Sequence, residues 1–342
     1  MSDETKFARG CDECGRLDCH KSFASRKIDD KGGINAFILD EKWPEFAKFL
    51  SLNHCQTDQI LSPGFFGQAI LSRYDWHKSA CHFATYETFG RHFDMRRVKN
   101  ASGRIRQMAY LKNNAKLALA LGKNLNHLAT HLIISQNFLP TLQKFGFLGG
   151  RTYDVLMGQY PLELIHKKLD NAARRLQSPT ISDFRAPQNL IDLENQALEN
   201  ANTIITPHHG IASHFAHKAL VLDWRMPTAR PHKKGNRVAF LGPTIARQGI
   251  HTAREIANTL NTALIVFGQD IEDPNFWKGA NIEKRFMNEN WLDDIGALIH
   301  PAIMTNQPRK LLEAQASGVK IYATPECGLA PSQFIPISKF RA

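Results

Sequence analysis

With 342 residues, 43% of them hydrophobic, the chain is long enough for two domains with real cores. Forty-three Lys and Arg against 32 Asp and Glu leave a net charge of +11, which favours anionic partners such as sugar nucleotides, acidic membrane surfaces or nucleic acid. No apolar run approaches the ~18 residues of a membrane span, residues 1–6 have no signal-peptide core, and six cysteines are too few for a disulfide framework, so a cytoplasmic protein, with membrane association as a variant, is expected.

The first polar cluster is Cys11, Cys14, Cys19 and His20. Cys-x-x-Cys followed by Gly15 has the turn of a zinc knuckle, in which backbone amides bend around thiolate sulfurs, so these four are candidate ligands of a structural zinc. Adjacent Cys19 and His20 do not easily share one ion, which makes His54, Cys55, Cys81 and His82 alternative fourth ligands. An iron–sulfur centre, or thiols holding nothing, stay open as well.

Residues 29–99 alternate short apolar runs (34–39, 43–50, 65–70, 83–93) with breaks at 40–44 and 62–64. Trp43, Phe46, Phe49 and Leu50 have the spacing of one helix face, and packing in a core is the expected role. Arg91, Arg96, Arg97, Lys99, Arg104 and Arg106 make the densest positive stretch of the chain. Contact with nucleic acid or acidic lipid competes there with the commoner outcome, a solvated helix face.

Residues 101–128 read as one long helix, followed by a strand at 131–135 and a second at 153–157 that ends in Gly158, Gln159, Tyr160 and Pro161. Around 207–217, His214 and His217 are three apart with His209 nearby. Metal binding is conceivable for such spacing, but a structural or substrate-contacting role is the stronger expectation. Residues 224–236, rich in Pro, Arg, Lys and Gly, form the best linker.

The last hundred residues carry the clearest pattern. Apolar runs at 237–243, 262–268, 295–301 and 319–325 alternate with helical stretches at 251–260 and 309–317, which predicts a parallel sheet of βαβ units. Ligands of such sheets sit beyond the carboxyl ends of the strands, here marked by Gly242, Gly268, Pro301 and the 325–328 turn. A Gly-x-Ser-x-Gly elbow, a P-loop and a His-Glu-x-x-His motif are all missing from the sequence, which removes most support for hydrolase or nucleotide triphosphatase activity.

Residues 311–324, reading Leu-Leu-Glu-Ala-Gln-Ala-Ser-Gly-Val-Lys-Ile-Tyr-Ala-Thr, resemble the nucleotide-sugar-binding signature of GT-B glycosyltransferases, especially glycosyltransferase family 4. Residues 194–207 and 238–249 extend the resemblance less closely. It implies an α/β protein with two Rossmann-like domains facing across a cleft, divided as a Cys-bearing segment 1–28, an acceptor domain 29–223, a linker 224–236 and a nucleotide-sugar domain 237–342. The implied activity is transfer of a sugar, with retention of configuration, from a nucleotide-sugar donor to a glycan, a lipid-linked molecule or another acceptor. Contact with an acidic membrane fits such an acceptor, and a nucleic-acid partner fits least.

In that reading Glu313 accepts ribose hydroxyls, Gly242 and Gly249 let the backbone approach the diphosphate, and Thr305 and Gly318 complete the donor site. Gln159 and Tyr160 lie where the family presents a side chain to the sugar. The family's Arg and Lys, which neutralise the departing diphosphate, are replaced by Pro243 and Gln248, leaving Arg247 as the available cation. Thr305 stands where the family's first acid is expected. These departures make a catalytically inactive binding or scaffold protein of the same fold, in polysaccharide assembly, the rival reading.

Overall fold

The computed structural model describes residues 34–64, 74–76 and 81–341. Its strands are β1 (Ile34–Ile38), β2 (Gln59–Ser62), β3 (Cys81–Phe83), β4 (Ala129–Ser135), β5 (Thr152–Leu156), β6 (Thr203–Thr206), β7 (Ala219–Val221), β8 (Arg237–Leu241), β9 (Leu264–Phe267), β10 (Ile282–Arg285), β11 (Ile295–His300), β12 (Lys320–Ala323) and β13 (Ile335–Pro336). The helices are α1 (Pro44–Asn53), α2 (Thr85–Arg97), α3 (Gly103–Lys123), α4 (Leu139–Lys144), α5 (Leu162–Ala173), α6 (Gln188–Asn200), α7 (His209–His214), α8 (Ile250–Thr259) and α9 (Arg309–Ala316). The chain divides into two compact units: unit 1 holds the described residues up to Met157, Ala186–Thr206 and Phe215–Leu220, and unit 2 holds Gly158–Arg185, Pro207–His214 and the chain from Val221 onward.

Unit 1 is built on a sheet of order β3-β2-β1-β4-β5-β6-β7, parallel from β3 through to β6. Its central strands are apolar without alternation because helices cover both faces, and Phe37, Ile38, Leu132 and Ile134 are sealed from solvent. Phe46 and Leu50 of α1 join this core as their spacing predicts. The helix expected over 101–128 is shorter: the Ser102 hydroxyl accepts from the Ile105 amide at 3.5 Å to start α3 at Gly103, and the chain leaves the helix at Asn124.

Arg91 departs from the expected positive patch. It is buried, with Nη1 2.6 Å from Asp40 Oδ1 and its guanidinium 5.3 Å from the Tyr110 ring centroid and 5.9 Å from that of Tyr74. Asn137 Nδ2 donates to the other Asp40 oxygen at 2.9 Å. Removing two charges from water is costly unless they pair, and here both are paired and hydrogen-bonded.

Unit 2 contains a sheet of order β10-β9-β8-β11-β12-β13, parallel throughout. Four runs expected as strands are strands. β8 and β9 are buried along nearly their whole length, and Ile250, Ala253 and Ala257 of α8 pack on Phe240, Leu264 and Val266. β10 reads Ile-Glu-Lys-Arg and has no apolar pattern; it survives as an edge strand, where one side needs no cover and charge discourages further pairing.

Candidate functional site

In chain order the unit 2 sheet is 3-2-1-4-5-6, so its winding direction reverses between β8 and β11. A crevice opens at such a switch point beyond the carboxyl ends of the strands. Three loops meet there. The Arg247 carbonyl accepts the Ile303 amide at 2.8 Å, the Glu326 carbonyl accepts the Thr305 amide at 3.1 Å, and the Thr324 hydroxyl donates to the Ala302 carbonyl at 2.6 Å. The loops after β8, β11 and β12 are therefore one hydrogen-bonded rim.

Two predicted glycines have identifiable causes in this rim. Gly249 has φ +76°, and a Cβ there would fall 1.8 Å from the Pro301 carbonyl oxygen, so only glycine lets the β8 loop turn against the β11 loop. Gly242 donates its amide to the Phe267 carbonyl at 2.9 Å, and a Cβ would sit 2.2 Å from that oxygen; the close approach is to the end of β9. With Gly249 as N-cap, α8 begins without a side-chain cap, and the amides of its first turn give the rim a positive helix end.

The Arg247 guanidinium lies 4.1 Å from the Phe184 ring centroid, half-buried on the same rim. Behind it, Glu272 accepts the Ala246 amide at 3.0 Å and the hydroxyls of Thr180 and Ser178, which fixes the loop on the 179–182 turn. Thr244, buried, donates its hydroxyl to Asp270 at 2.7 Å while accepting the Trp277 indole N–H at 3.0 Å. The loop that carries Arg247 is thus held on both sides.

Tyr160 and two histidines form the next layer. Tyr160 packs edge-on against His208, ring centroids 5.0 Å apart, and Gly210 makes room for it, since a Cβ there would stand 2.0 Å from the tyrosine hydroxyl. His208 Nε2 lies 2.8 Å from the Thr305 carbonyl oxygen and therefore donates, while its Nδ1 accepts the Ile211 amide at 3.2 Å. Thr305 Oγ1 lies 2.7 Å from His300 Nε2. Burial pushes both histidines down to about 4, so each imidazole is neutral near pH 7. Burial and the charges of Glu326 and Cys327 push the Tyr160 phenol up. Lys168 stands 4.9 Å over the Tyr160 ring and 3.1 Å from Glu326.

Glu313 lies in α9, nearly enclosed. Its Oε1 accepts from Trp291 Nε1 at 3.1 Å and Arg230 Nε at 2.8 Å, and its Oε2 from Lys310 Nζ at 2.8 Å. Burial works to raise its pKa, but the hydrogen bonds from Lys310 and Trp291 and the charge of Arg230 outweigh it and hold the carboxyl below its ordinary value. A carboxylate has about four acceptor positions, so roughly one, on Oε2, is left for a ligand hydroxyl.

Gly242, Arg247, Gly249 and Thr305 of the sequence-derived set come together on the rim, and Tyr160 joins them through His208. Gln159, half-buried, precedes Tyr160 in the chain. Gly318 is elsewhere: at φ +84° it closes α9, with Gly318 N–H on the Gln315 carbonyl at 2.9 Å and Val319 N–H on that of Ala314 at 3.0 Å, at the amino end of β12. That is a Schellman motif, and helix termination accounts for the glycine. Cys11, Cys14, Cys19 and His20 lie outside the described residues. Among the described residues, His209, His214 and His217 included, no three His, Cys, Asp or Glu side chains are grouped to hold a metal. His208 and His300 were not singled out from sequence, although a histidine closing an apolar strand run, as His300 does, was a readable signal.

Two Rossmann-like units in one chain, each with a central parallel sheet flanked by helices, make this an α/β protein with the two units that the GT-B resemblance implies. The chain is similar in structure to a sucrose-phosphate synthase from Thermosynechococcus elongatus (TM-score 0.49, 9% identity, 85% of this chain and 81% of that one). It is also similar to the lipopolysaccharide outer core galactosyltransferase WaaB in its apo form (0.47, 12%, 88% and 83%) and to HepE of Anabaena in complex with UDP and glucose (0.44, 11%, 85% and 80%). No family model matches the chain, and no curated protein matches it.

Proposed function

We propose that the protein is a glycosyltransferase that binds a nucleotide-sugar donor on the rim of unit 2 and passes the sugar, with retention of configuration, to a glycan or lipid-linked acceptor. The observation that carries this reading is the switch-point rim itself: an uncapped helix start at Gly249 and the Arg247 guanidinium share one loop beyond the carboxyl end of β8. Amide donors and a fixed cation are what a departing nucleoside diphosphate requires, because charge accumulates on its oxygens as the glycosidic bond breaks. Arg247 fits that task better than a lysine would, since its planar fork can pair two phosphate oxygens. Tyr160 and Gln159 offer hydrogen-bonding groups to sugar hydroxyls, and Glu313 offers its remaining Oε2 position to the ribose.

The enclosure of Glu313 by Trp291, Arg230 and Lys310 favours the rival, a binding or scaffold protein of this fold without turnover. A thermal-shift titration with UDP, GDP, ADP and their sugars separates the two. Binding at ~100 times Kd stabilises the native state by about 2.7 kcal/mol. A shift with one nucleotide that Arg247→Ala removes, followed by sugar transfer to an acceptor, is the expected result. A shift without transfer to any acceptor supports the scaffold, and no shift with any nucleotide overturns the donor site. The anomeric configuration of the product, read by NMR, tests retention.

A further inference from the structure

Helix α2 in unit 1 is inverted. Its buried side is polar: Thr85, Thr88 and Arg91 face inward, where Thr88 accepts the Gly64 amide at 3.1 Å and Arg91 pairs with Asp40. Its solvent side is aromatic, with Tyr86 81%, Phe89 55% and Phe93 62% exposed at spacings of three and four, which places them in one stripe. Helix α3, packed on α2 after a short turn, adds Ile105 at 53% and Met108 at 48%. Scattered exposed apolar residues are ordinary, whereas five on one helical hairpin with polar groups buried beneath them mark an interaction face.

The same helical hairpin carries exposed cations. Arg96, Arg97, Lys99, Arg104, Lys112 and Lys116 are exposed, and the Arg97 guanidinium stands 5.7 Å over the Phe93 ring. From Thr85 to Lys123 the chain has nine Lys and Arg against Glu87 and Asp94 alone.

We propose that the α2–α3 face docks unit 1 on a membrane surface bearing anionic lipids. Aromatic rings settle at the headgroup boundary, aliphatic side chains enter the acyl region, and long Lys and Arg side chains reach phosphate while their stems stay apolar. Two other occupants fit less well. Nucleic acid would use the cations and the rings, but Ile105 and Met108 gain nothing from base stacking. A second copy of the chain would bring two strongly positive faces together. The inference does not rest on the donor site proposed for unit 2.

The test is co-sedimentation of the full chain with vesicles of phosphatidylcholine alone and of phosphatidylcholine with phosphatidylglycerol. Binding is expected only with phosphatidylglycerol, weakening as salt rises. Arg96→Ala with Arg97→Ala should weaken it by about twenty-five-fold, from roughly fivefold per cation near such a surface. Tyr86→Ser with Phe93→Ser should weaken it by about tenfold; all four residues are exposed, and an unfolding transition matching wild type verifies the fold. Equal binding to both vesicle types, or binding that neither variant changes, overturns the proposal. So does tighter binding to single-stranded RNA that the same variants abolish, or a lipid-free dimer that Tyr86→Ser with Phe93→Ser dissociates.

Discussion

The Thr305 carbonyl accepts the Nε2–H of His208 at 2.8 Å, which joins the segment after β6 to the loop after β11 inside unit 2. The Thr305 hydroxyl is 2.7 Å from Nε2 of a second buried histidine, His300. Where the family resemblance expects an acid, this chain therefore holds a threonine between two neutral imidazoles.

Acid should weaken unit 2 through these rings. Each has a folded pKa of about 4, below the ordinary 6.5, so the unfolded chain binds more protons between those values. Stability is fully present above pH 6.5 and falls as pH drops toward 4, by about 1.4 kcal/mol per pH unit for each ring. Urea denaturation from pH 7 to 4 should show this slope, and His208→Asn with His300→Asn should flatten it.

Breaking the Arg91–Asp40 pair should cost roughly 3–5 kcal/mol, because the surviving charge stays buried without its partner. Arg91→Met alone should show that loss in urea denaturation, and Arg91→Met with Asp40→Asn should recover part of it. A loss under 1 kcal/mol for the single variant would remove Arg91 from the core.

Gly249 and Gly318 both have positive φ but sit in different surroundings. Gly318→Ala meets open space and should cost only the left-handed penalty, about 1–2 kcal/mol. Gly249→Ala adds a clash with the Pro301 carbonyl and should cost clearly more. It should also abolish nucleotide binding by shifting the loop that carries Arg247. Calorimetric unfolding of both variants, with a nucleotide titration of whichever folds, decides this.

Glu313→Gln keeps the size of the side chain but leaves Trp291, Arg230 and Lys310 without a charged acceptor. Lys310 and Arg230 are 45% and 47% exposed and turn to water, so the loss at pH 7 should be modest, about 1–2 kcal/mol. Because the Glu313 pKa is lowered in the fold, its contribution is present above the ordinary carboxylate range and vanishes on acidification, so wild type and variant should converge at low pH. Parallel urea titrations at pH 7 and pH 3 measure the convergence.

The sequence by itself determined four strands of the last hundred residues, β8, β9, β11 and β12, most plainly β8 and β9, because a strand covered on both faces must be apolar at successive positions. It also marked Gly249 and Arg247, which share the loop after β8. Tertiary structure alone decided the rest. β10 and β13 are edge strands whose composition shows no burial, and Arg91 leaves the positive patch because Asp40, fifty-one residues away, receives it. Gly158–Arg185 and Pro207–His214 belong with unit 2 although unit 1 strands flank them in the chain, and this is what puts His208 on Thr305 with Tyr160 packed against its ring. Periodicity records which residues are buried, whereas a partner distant in sequence is chosen only when the chain closes on itself, and Thr305 met His208 in that way.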